Sequence, residues 1–278
     1  MEIMFRRSVK GEFKMKRIVT LVMIMAITAL IISACSPSEP ANELESVRQE
    51  GKMVVGTSAD YPPFEYVDDA GEMIGFDIDL ANEIGKQMDV EVEIIDMPFD
   101  SLIASVQEGK IDVSIAAFNY TEERDKTVDF TDAYYYAEDG FLVVEDFGGE
   151  ITKAEDAANY TLGVQTGSTA DGWATENLVE AGLMPEENLF RYERMDQAAL
   201  DVKNGRIDIL MTDYIPAQAL ADEVGGLKVV FHAEVSTGPV NIITPEGSTE
   251  LTNAINEVIT KMLEDGFIDG LSVKWIGQ

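Results

Sequence analysis

Three polar features of the sequence have the chemistry to hold a small molecule that carries both signs of charge. Arg124 lies on a short polar connection, where its guanidinium can bind a carboxylate through paired hydrogen bonds. Thr169 opens a predicted helix, whose free N–H groups also favour an anion. Asp213 directly follows a buried apolar run and can hold an ammonium. Together the three match the two charged groups of an α-amino acid.

The alternative for Arg124 is an ordinary surface salt bridge, because Glu123 and Asp125 are its immediate neighbours. Aromatic residues follow the first predicted strand, where Tyr61 and Phe64 flank Pro62-Pro63 and offer flat apolar surface. Phe64 could equally belong to the core. Any one of these features is weak alone, but their recurrence at successive strand ends favours a binding site.

Composition excludes several classes of protein. The first 35 residues hold six bases and two acids, so 14 bases and 50 acids remain, a net charge of −36. Such a body repels nucleic acid and anionic lipid. One cysteine and one histidine allow neither an internal disulfide nor a Cys/His metal cluster, and no calcium-loop motif is present. We expect no metal and no cofactor.

The N-terminus has the layout of a secretory signal. A basic start at Met15 is followed by a long apolar run that ends in small residues before Cys35. Residues 32–35, Ile-Ser-Ala-Cys, resemble a bacterial lipobox, which predicts a signal peptide over 1–35, lipid on Cys35 and a tether over 36–43. The apolar run is near spanning length, so a retained transmembrane anchor is the alternative. Met1, Met4 and Met15 all remain possible starts.

The body of the chain repeats itself. FDSLIASVQEGKIDVSIAAF at 99–118 matches MDQAALDVKNGRIDILMTDY at 195–214 with an offset of 96. Each copy predicts a helix, a glycine stop and a buried strand. The period is too long for a solenoid, so two similar α/β lobes are the simpler interpretation. Alternating strands and helices predict mostly parallel sheets, and ligands bind such sheets at the carboxyl ends of their strands, here between the lobes.

Several segments in this order resemble the family 3 extracellular solute-binding proteins, the amino-acid receptors of bacterial ABC importers. The resemblance covers almost all of the chain after the tether. It is carried by GTSADYPPFEY at 56–66, GFDIDLANEI at 75–84, GKIDVSIAAFNYTEERDKTVDFTDAYY at 109–135, LGVQTGST at 162–169, GRIDILMTDYIPA at 205–217 and the tail from INEVITKMLEDG onward.

The resemblance implies a role for each residue of the site. Arg124 would bind the ligand carboxylate and Asp213 the α-ammonium, while Thr169 supplies an N–H to the carboxylate. The remaining positions implied to bind are Tyr61 and Phe99 as aromatic walls, Ser58, Gln165 and Thr212 as positions that vary with ligand, and Ala117 and Asn119. The last pair departs from the family's G-x-[ST] pattern, with the Asn119 amide replacing a hydroxyl.

The resemblance also implies a two-lobed periplasmic-binding-protein fold of type II, with two α/β lobes joined by a two-strand hinge. Lobe 1 would comprise residues 44–138 plus 234–278, and lobe 2 residues 139–233. The hinge strands are expected around 141–144 and 229–232. The implied function is capture of a free amino acid outside the cytoplasmic membrane and delivery to an ABC permease. We expect a monomer anchored by its lipid, and no catalysis.

Ligand type and rival functions are less sharply indicated. Ser58 stands where several receptors for basic amino acids carry an acid, which favours a polar or neutral ligand, although Asp60 nearby weakens that argument. A dehydratase acting on prephenate or arogenate would need a proton donor in the cleft. Glu65 or Asp60 could serve, but we expect both to be solvated loop acids. A sensory module is a further alternative, but such modules usually continue into a transmembrane helix and a signalling domain, which we do not expect of a chain that ends at Gln278. A structural lipoprotein is the last alternative, and it would not explain Arg124 together with Asp213.

Overall fold

The structure is a computed structural model and describes residues 40–277. The predicted signal segment, Cys35 and the first four residues of the predicted tether lie outside the described residues. Within the described part of the chain, no helix is long and apolar enough to cross a membrane.

Two mixed sheets organise the chain. The first has the strand order β5-β1-β6-β14-β7, with β8 paired to β14. Its strands are β1 (Lys52–Thr57), β5 (Glu91–Asp96), β6 (Val113–Asn119), β7 (Val128–Phe130), β8 (Tyr135–Tyr136) and β14 (Pro239–Pro245). Strand β1 runs parallel to β5 and β6, whereas β14 is antiparallel to its neighbours. A separate small antiparallel sheet contains β2 (Asp60–Tyr61), β3 (Glu65–Val67) and β4 (Met73–Ile74).

The second sheet has the order β11-β10-β12-β9-β13. Its strands are β9 (Asp139–Val144), β10 (Leu162–Gln165), β11 (Leu189–Tyr192), β12 (Ile209–Asp213) and β13 (Leu227–Ala233). Strand β10 is parallel to β11 and β12, and β9 is antiparallel to β12 and β13. Each sheet therefore has three parallel strands on one side and antiparallel pairings on the other.

Helices cover both faces of each sheet. They are α1 (Glu43–Glu50), α2 (Phe76–Met88), α3 (Phe99–Gln107), α4 (Thr169–Ala174), α5 (Met195–Lys203), α6 (Tyr214–Val224), α7 (Thr249–Glu264) and α8 (Phe267–Leu271). Short 3-10 helices span Arg124–Lys126, Ala154–Asn159 and Glu186–Asn188, and π-helical turns span Thr175–Glu180 and Ser272–Ile276. Each sheet packs a separate apolar cluster on each face, as an α/β/α layer arrangement requires.

The repeat seen in the sequence is present in the structure with the same offset. Helix α3 becomes α5 when 96 is added to both of its ends, and β6 and β12 begin 96 residues apart. An aspartate before each of these strands plays the same part. Asp112 accepts a hydrogen bond from the Val54 N–H, and Asp208 accepts one from the Thr161 N–H, so each joins two neighbouring strands.

The chain passes between the two sheets twice, from Tyr136 to Asp139 and from Ala233 to Pro239. These crossings begin at the ends of the two segments predicted as hinge strands, which pair with each other as β9 and β13 of the second sheet. Asp139 ties the two crossings together. Its buried carboxylate accepts hydrogen bonds from three N–H groups of 235–237 and from the hydroxyls of Ser236 and Thr237.

Candidate functional site

A cavity between the two sheets contains every residue predicted to bind a ligand. All ten line it, and five further residues complete the lining: Glu65, Ala116, Ser168, Ala170 and Met211. The cavity lies where β6, β10 and β12 end. Carboxyl ends of strands from both sheets thus face the same space, as expected for a site between α/β lobes.

Arg124 projects into this cavity from the short 3-10 helix after β6. Its Nη1 donates to the Asn119 carbonyl at 2.8 Å, and its Nη2 crosses to the other sheet's Gly167 carbonyl at 2.9 Å. The guanidinium carbon lies 5.6 Å from the Phe99 ring centre and 5.3 Å from that of Phe118. Among residues 40–277 no carboxylate forms an ion pair with it.

The surroundings of Arg124 therefore disfavour its charge. Loss of water lowers its pKa to about 10, although Asp213 and Glu123 act in the opposite direction. The salt bridge to Glu123 or Asp125 considered from the sequence is absent from the described residues, and Asp125 instead accepts from the Tyr120 hydroxyl. A guanidinium held by carbonyls and rings, without a counter-charge, is suited to receive a carboxylate.

Asp213 occupies the end of β12, on the opposite side of the cavity. Burial raises the pKa of its carboxyl well above the ordinary range and Asp139 raises it further, while the Tyr61 hydroxyl and Arg124 lower it. Tyr61 reaches across from β2, where its hydroxyl accepts from the Asp213 N–H at 3.0 Å and lies 2.9 Å from the Thr212 hydroxyl. Since no described base pairs with Asp213, a cationic group here would stabilise its ionised form.

Two amide side chains present hydrogen-bond donors that have no partner among the described residues. The Asn119 amide oxygen accepts from the Thr169 hydroxyl at 3.3 Å, which leaves its Nδ2 free. Gln165, at the end of β10, has an equally unpartnered Nε2. Buried donors of this kind are costly unless a ligand or water accepts from them, and both belong to residues that line the cavity.

Ala117 sits in a strained backbone conformation at the cavity wall. Its φ of 46° lies in the left-handed region, which residues with a Cβ rarely adopt. The conformation is held from behind, because the Ala117 N–H donates to the buried carboxylate of Asp77 at 2.8 Å. Asp77 also accepts from the Tyr134 hydroxyl. Burial raises the pKa of Asp77 to about 6.

The expectation that Glu65 and Asp60 are solvated loop acids is wrong. Only 1% of Glu65 and 5% of Asp60 is exposed. Glu65 is drawn inwards because β3 pairs with β2 and sets it beside the cavity. One feature of the sequence indicates a buried acid, because Glu65 directly follows Pro-Pro-Phe and so interrupts an apolar run rather than a polar one.

Asp60 faces the other sheet rather than the cavity. Its carboxylate accepts a short hydrogen bond from the Met195 N–H, at the start of α5, and lies 3.5 Å from the Arg194 guanidinium. Arg194 also bridges to Asp96 at 3.2 Å and donates to the Ala59 carbonyl at 3.1 Å. We call these contacts of Arg194 and Met195 with Ala59, Asp60 and Asp96 the clasp. They join the two lobes outside the binding cavity.

A close approach at Gly167 also joins the lobes. A Cβ built on Gly167 would lie 3.2 Å from the Asp100 Cβ, and its φ of 74° favours glycine. This approach lets the Gly167 carbonyl reach Arg124. A larger residue at this position would hold the loop after β10 away from the start of α3.

The fold and the cleft define a two-lobed binding protein of the type II periplasmic class. The profile of the bacterial extracellular solute-binding proteins, family 3, matches residues 53–278, and the chain belongs to this family.

Relatives and solved structures agree with this membership. The chain is 30% identical to the arginine-binding extracellular protein ArtP of Bacillus subtilis, over 92% of this chain and 96% of that one. A mutant of ArgBP from T. maritima superposes with a TM-score of 0.79 at 33% identity, over 85% of this chain and 100% of that chain. An ancestral amino acid-binding protein, described as a precursor of cyclohexadienyl dehydratase, superposes with a TM-score of 0.73 at 32% identity, over 84% and 98%.

Proposed function

We propose that this protein captures a free amino acid between its lobes and delivers it to the permease of an ABC importer. In this proposal Arg124 binds the α-carboxylate and Asp213 the α-ammonium. The amide of Asn119 and the backbone N–H of Thr169 complete the carboxylate site. Tyr61 and Phe99 enclose the side chain.

One observation carries the proposal. Counting only partners within residues 40–277, the cavity presents a guanidinium without an anion on one lobe and a carboxyl without a cation on the other. Each is costly to keep charged away from water, and a zwitterion would compensate both at once. The unpartnered Asn119 Nδ2 adds a donor that a carboxylate can use. Relatives described as arginine-binding support the same class of ligand.

The direct test is a thermal-shift and calorimetric screen of the chain from residue 36, which contains the whole folded unit of residues 42–278. Each of the twenty amino acids, cystine and prephenate is added in turn. A ligand at 100 times its dissociation constant adds about 2.7 kcal/mol to stability, which a melting curve resolves. We expect a shift with one or a few amino acids and none in Arg124→Ala. No shift with any amino acid would refute the proposal.

Delivery to a permease would depend on the closed arrangement of the lobes. We assign lobe 1 to residues 44–138 plus 234–278 and lobe 2 to 139–233, with closure about the crossings that Asp139 ties together. Small-angle scattering with and without the bound amino acid would test this assignment. We expect a smaller radius of gyration with ligand, and an unchanged radius would contradict hinge closure.

We also propose that Cys35 carries a lipid that holds the protein at the outer side of the cytoplasmic membrane. The support is the signal-like segment before it and the family's extracellular character. In cells, Cys35→Ala should move the protein from the membrane fraction to the soluble extracytoplasmic fraction. Retention of the variant in the membrane would instead favour an uncleaved anchor.

A dehydratase is the second candidate, and one observation favours it. Glu65 lines the cavity, and burial together with Asp77 raises the pKa of its carboxyl well above the ordinary range, which favours the protonated form that a general acid needs. The resemblance to an ancestral precursor of a dehydratase points the same way. Turnover of prephenate or arogenate by the purified chain, abolished in Glu65→Gln, would establish this function.

A further inference from the structure

We propose that Asp77 is a positioning residue for ligand binding, which shapes the cavity wall by holding Ala117 in its left-handed conformation. The inference rests on the proposed function, because its measured effect is the affinity for an amino acid in the cleft. Asp77 does not itself line the cavity. It acts through the backbone of Ala117, which does.

The first argument is a bulge in β6 that contains Ala117. Residues 115–117 of β6 lie opposite Ile242 of β14 alone. Bulges bend a strand, re-aim the side chains near them and are frequent beside active sites. Asn119, whose Nδ2 has no partner among the described residues, follows this bulge and lines the cavity together with Ala117. A change in the bulge would therefore displace two positions of the wall.

The second argument comes from the internal repeat, which shows that the fold does not require the bulge. The offset of 96 relates Ala117 to Asp213, at the end of β12. There the pairing with β9 is continuous from Leu210 to Asp213, and Asp213 has an ordinary φ of −62°. The same unit of helix, glycine and strand thus ends without a bulge in the second sheet. The left-handed residue belongs to this wall of the cavity and not to the repeated unit.

The third argument is the placement of the Asp77 carboxylate. It is 1% exposed and accepts from the Ala117 N–H at 2.8 Å, while the Tyr134 hydroxyl donates to it at 2.8 and 2.9 Å. Among residues 40–277 no base forms an ion pair with it. Burying a carboxylate without a counter-charge lowers stability. A role in shaping the binding site explains why an acid stands here.

The backbone of Ala117 makes this role testable. Alanine resists a positive φ, whereas glycine adopts it without strain. Removing the Asp77 carboxylate leaves a buried N–H unpaired and a strained alanine unsupported, so the bulge should relax and the wall should shift. With glycine at position 117, the left-handed conformation no longer depends on the carboxylate. Loss of Asp77 should then matter far less for affinity.

The test is a double-mutant cycle between Asp77→Ala and Ala117→Gly. Calorimetry uses L-arginine and L-glutamine, or the best amino acid of the screen if neither binds. We expect Asp77→Ala alone to raise the dissociation constant about 10- to 100-fold. In the Ala117→Gly background the same change should raise it less than about threefold. Asp77→Asn keeps an acceptor oxygen for the Ala117 N–H, so it should restore binding to within about threefold of wild type.

Asp112→Ala is the matched control. Asp112 also accepts a backbone N–H in the first sheet, from Val54 at 2.7 Å, but it does not line the cavity. Its loss should lower the stability measured in urea, while affinity stays within about threefold of wild type. A loss of affinity as large as that of Asp77→Ala would mean that any damage to this sheet weakens binding, and the inference would be wrong.

The other outcomes are equally decisive. If Asp77→Ala binds as wild type does, or loses the same affinity in both backgrounds, Asp77 is structural and only the inference fails. If no amino acid binds wild type, the proposed function fails as well. Should Asp77→Ala fold only in the Ala117→Gly background, binding there supports the inference and its absence overturns it. Should it fold in neither, Asp77→Asn decides, because a folded variant that keeps the acceptor yet loses affinity would contradict a role through Ala117.

Discussion

Replacing Arg124 by methionine should weaken ligand binding strongly while leaving the stability of the ligand-free protein nearly unchanged. Methionine keeps an unbranched apolar chain between the Phe99 and Phe118 rings but removes the charge and the two hydrogen bonds to carbonyls. If Arg124 exists to bind a ligand, its charge is a cost to the folded protein until a ligand arrives. A residue that served only the fold would show the reverse pattern.

The cost can be worked from the structure. Loss of water lowers the Arg124 pKa from 12.5 to about 10, a difference of about 2.5 that corresponds to about 3 kcal/mol. The side chain is partly exposed, so solvent screening reduces this cost to about 1–3 kcal/mol. The lost hydrogen bonds to Asn119 and Gly167 offset part of the gain, at about 0.5–1.5 kcal/mol each. The ligand-free variant should therefore stay within about 2 kcal/mol of the wild-type stability.

Binding should respond far more strongly. Truncating one partner of a desolvated charge pair costs about 2–5 kcal/mol, which weakens binding roughly 30- to 5,000-fold. Urea unfolding without ligand measures the first quantity, and calorimetry with the best amino acid of the screen measures the second. Arg206→Met is the matched control, since Arg206 is largely exposed, pairs with Asp201 and is absent from the cavity lining. It should change neither quantity by more than about 1 kcal/mol.

An Arg124→Met variant that loses more than about 2 kcal/mol of stability without ligand, yet binds as wild type does, would contradict this prediction. That result would make Arg124 a structural residue that joins β6 to the second lobe through Gly167. If the variant lost both stability and affinity, the weaker binding could follow from damage to the fold and would not support a functional role for the unpaired guanidinium.

Two further predictions concern the clasp and the buried acid behind Ala117. Arg194→Ala removes the contacts with Asp60 and Asp96 that join the lobes. Calorimetry should therefore give a dissociation constant raised about 10- to 150-fold, while the unfolding of the ligand-free protein changes little. An unaltered affinity would mean that the clasp does not favour closure. Asp77 binds a proton more tightly in the folded protein, with a pKa of about 6 against 3.8. Its contribution to stability therefore falls by up to about 3 kcal/mol as the pH rises through 4–6. In urea titrations, Asp77→Asn should flatten the dependence of the unfolding free energy on pH, and an identical dependence would contradict this prediction.

The repeat explains why so much of the fold could be predicted. Helix, glycine stop and strand are local patterns, and their recurrence with an offset of 96 fixed α3, α5, β6 and β12 together. The predicted ligand-binding residues could be chosen from the same strand pattern, because the carboxyl ends of parallel strands share one edge of a sheet. The ten predicted residues accordingly line one cavity.

Contacts between distant segments could not be predicted in this way. Asp60 meets Arg194, which lies 134 residues further along the chain, and no periodicity links them. The tie between Asp139 and Ser236 is equally non-local. The ends of the predicted hinge strands were likewise not readable from the sequence, because the pairing of β9 with β13 decides where the sheet ends and the crossing begins.

Glu65 shows both what the sequence could predict and what it could not. Its position in the sequence suggested a loop acid, yet β3 pairs with β2 and brings it beside Asp77 and the cavity. The pairing of β3 with β2, and not the run of residues around it, thus decides that this acid is buried.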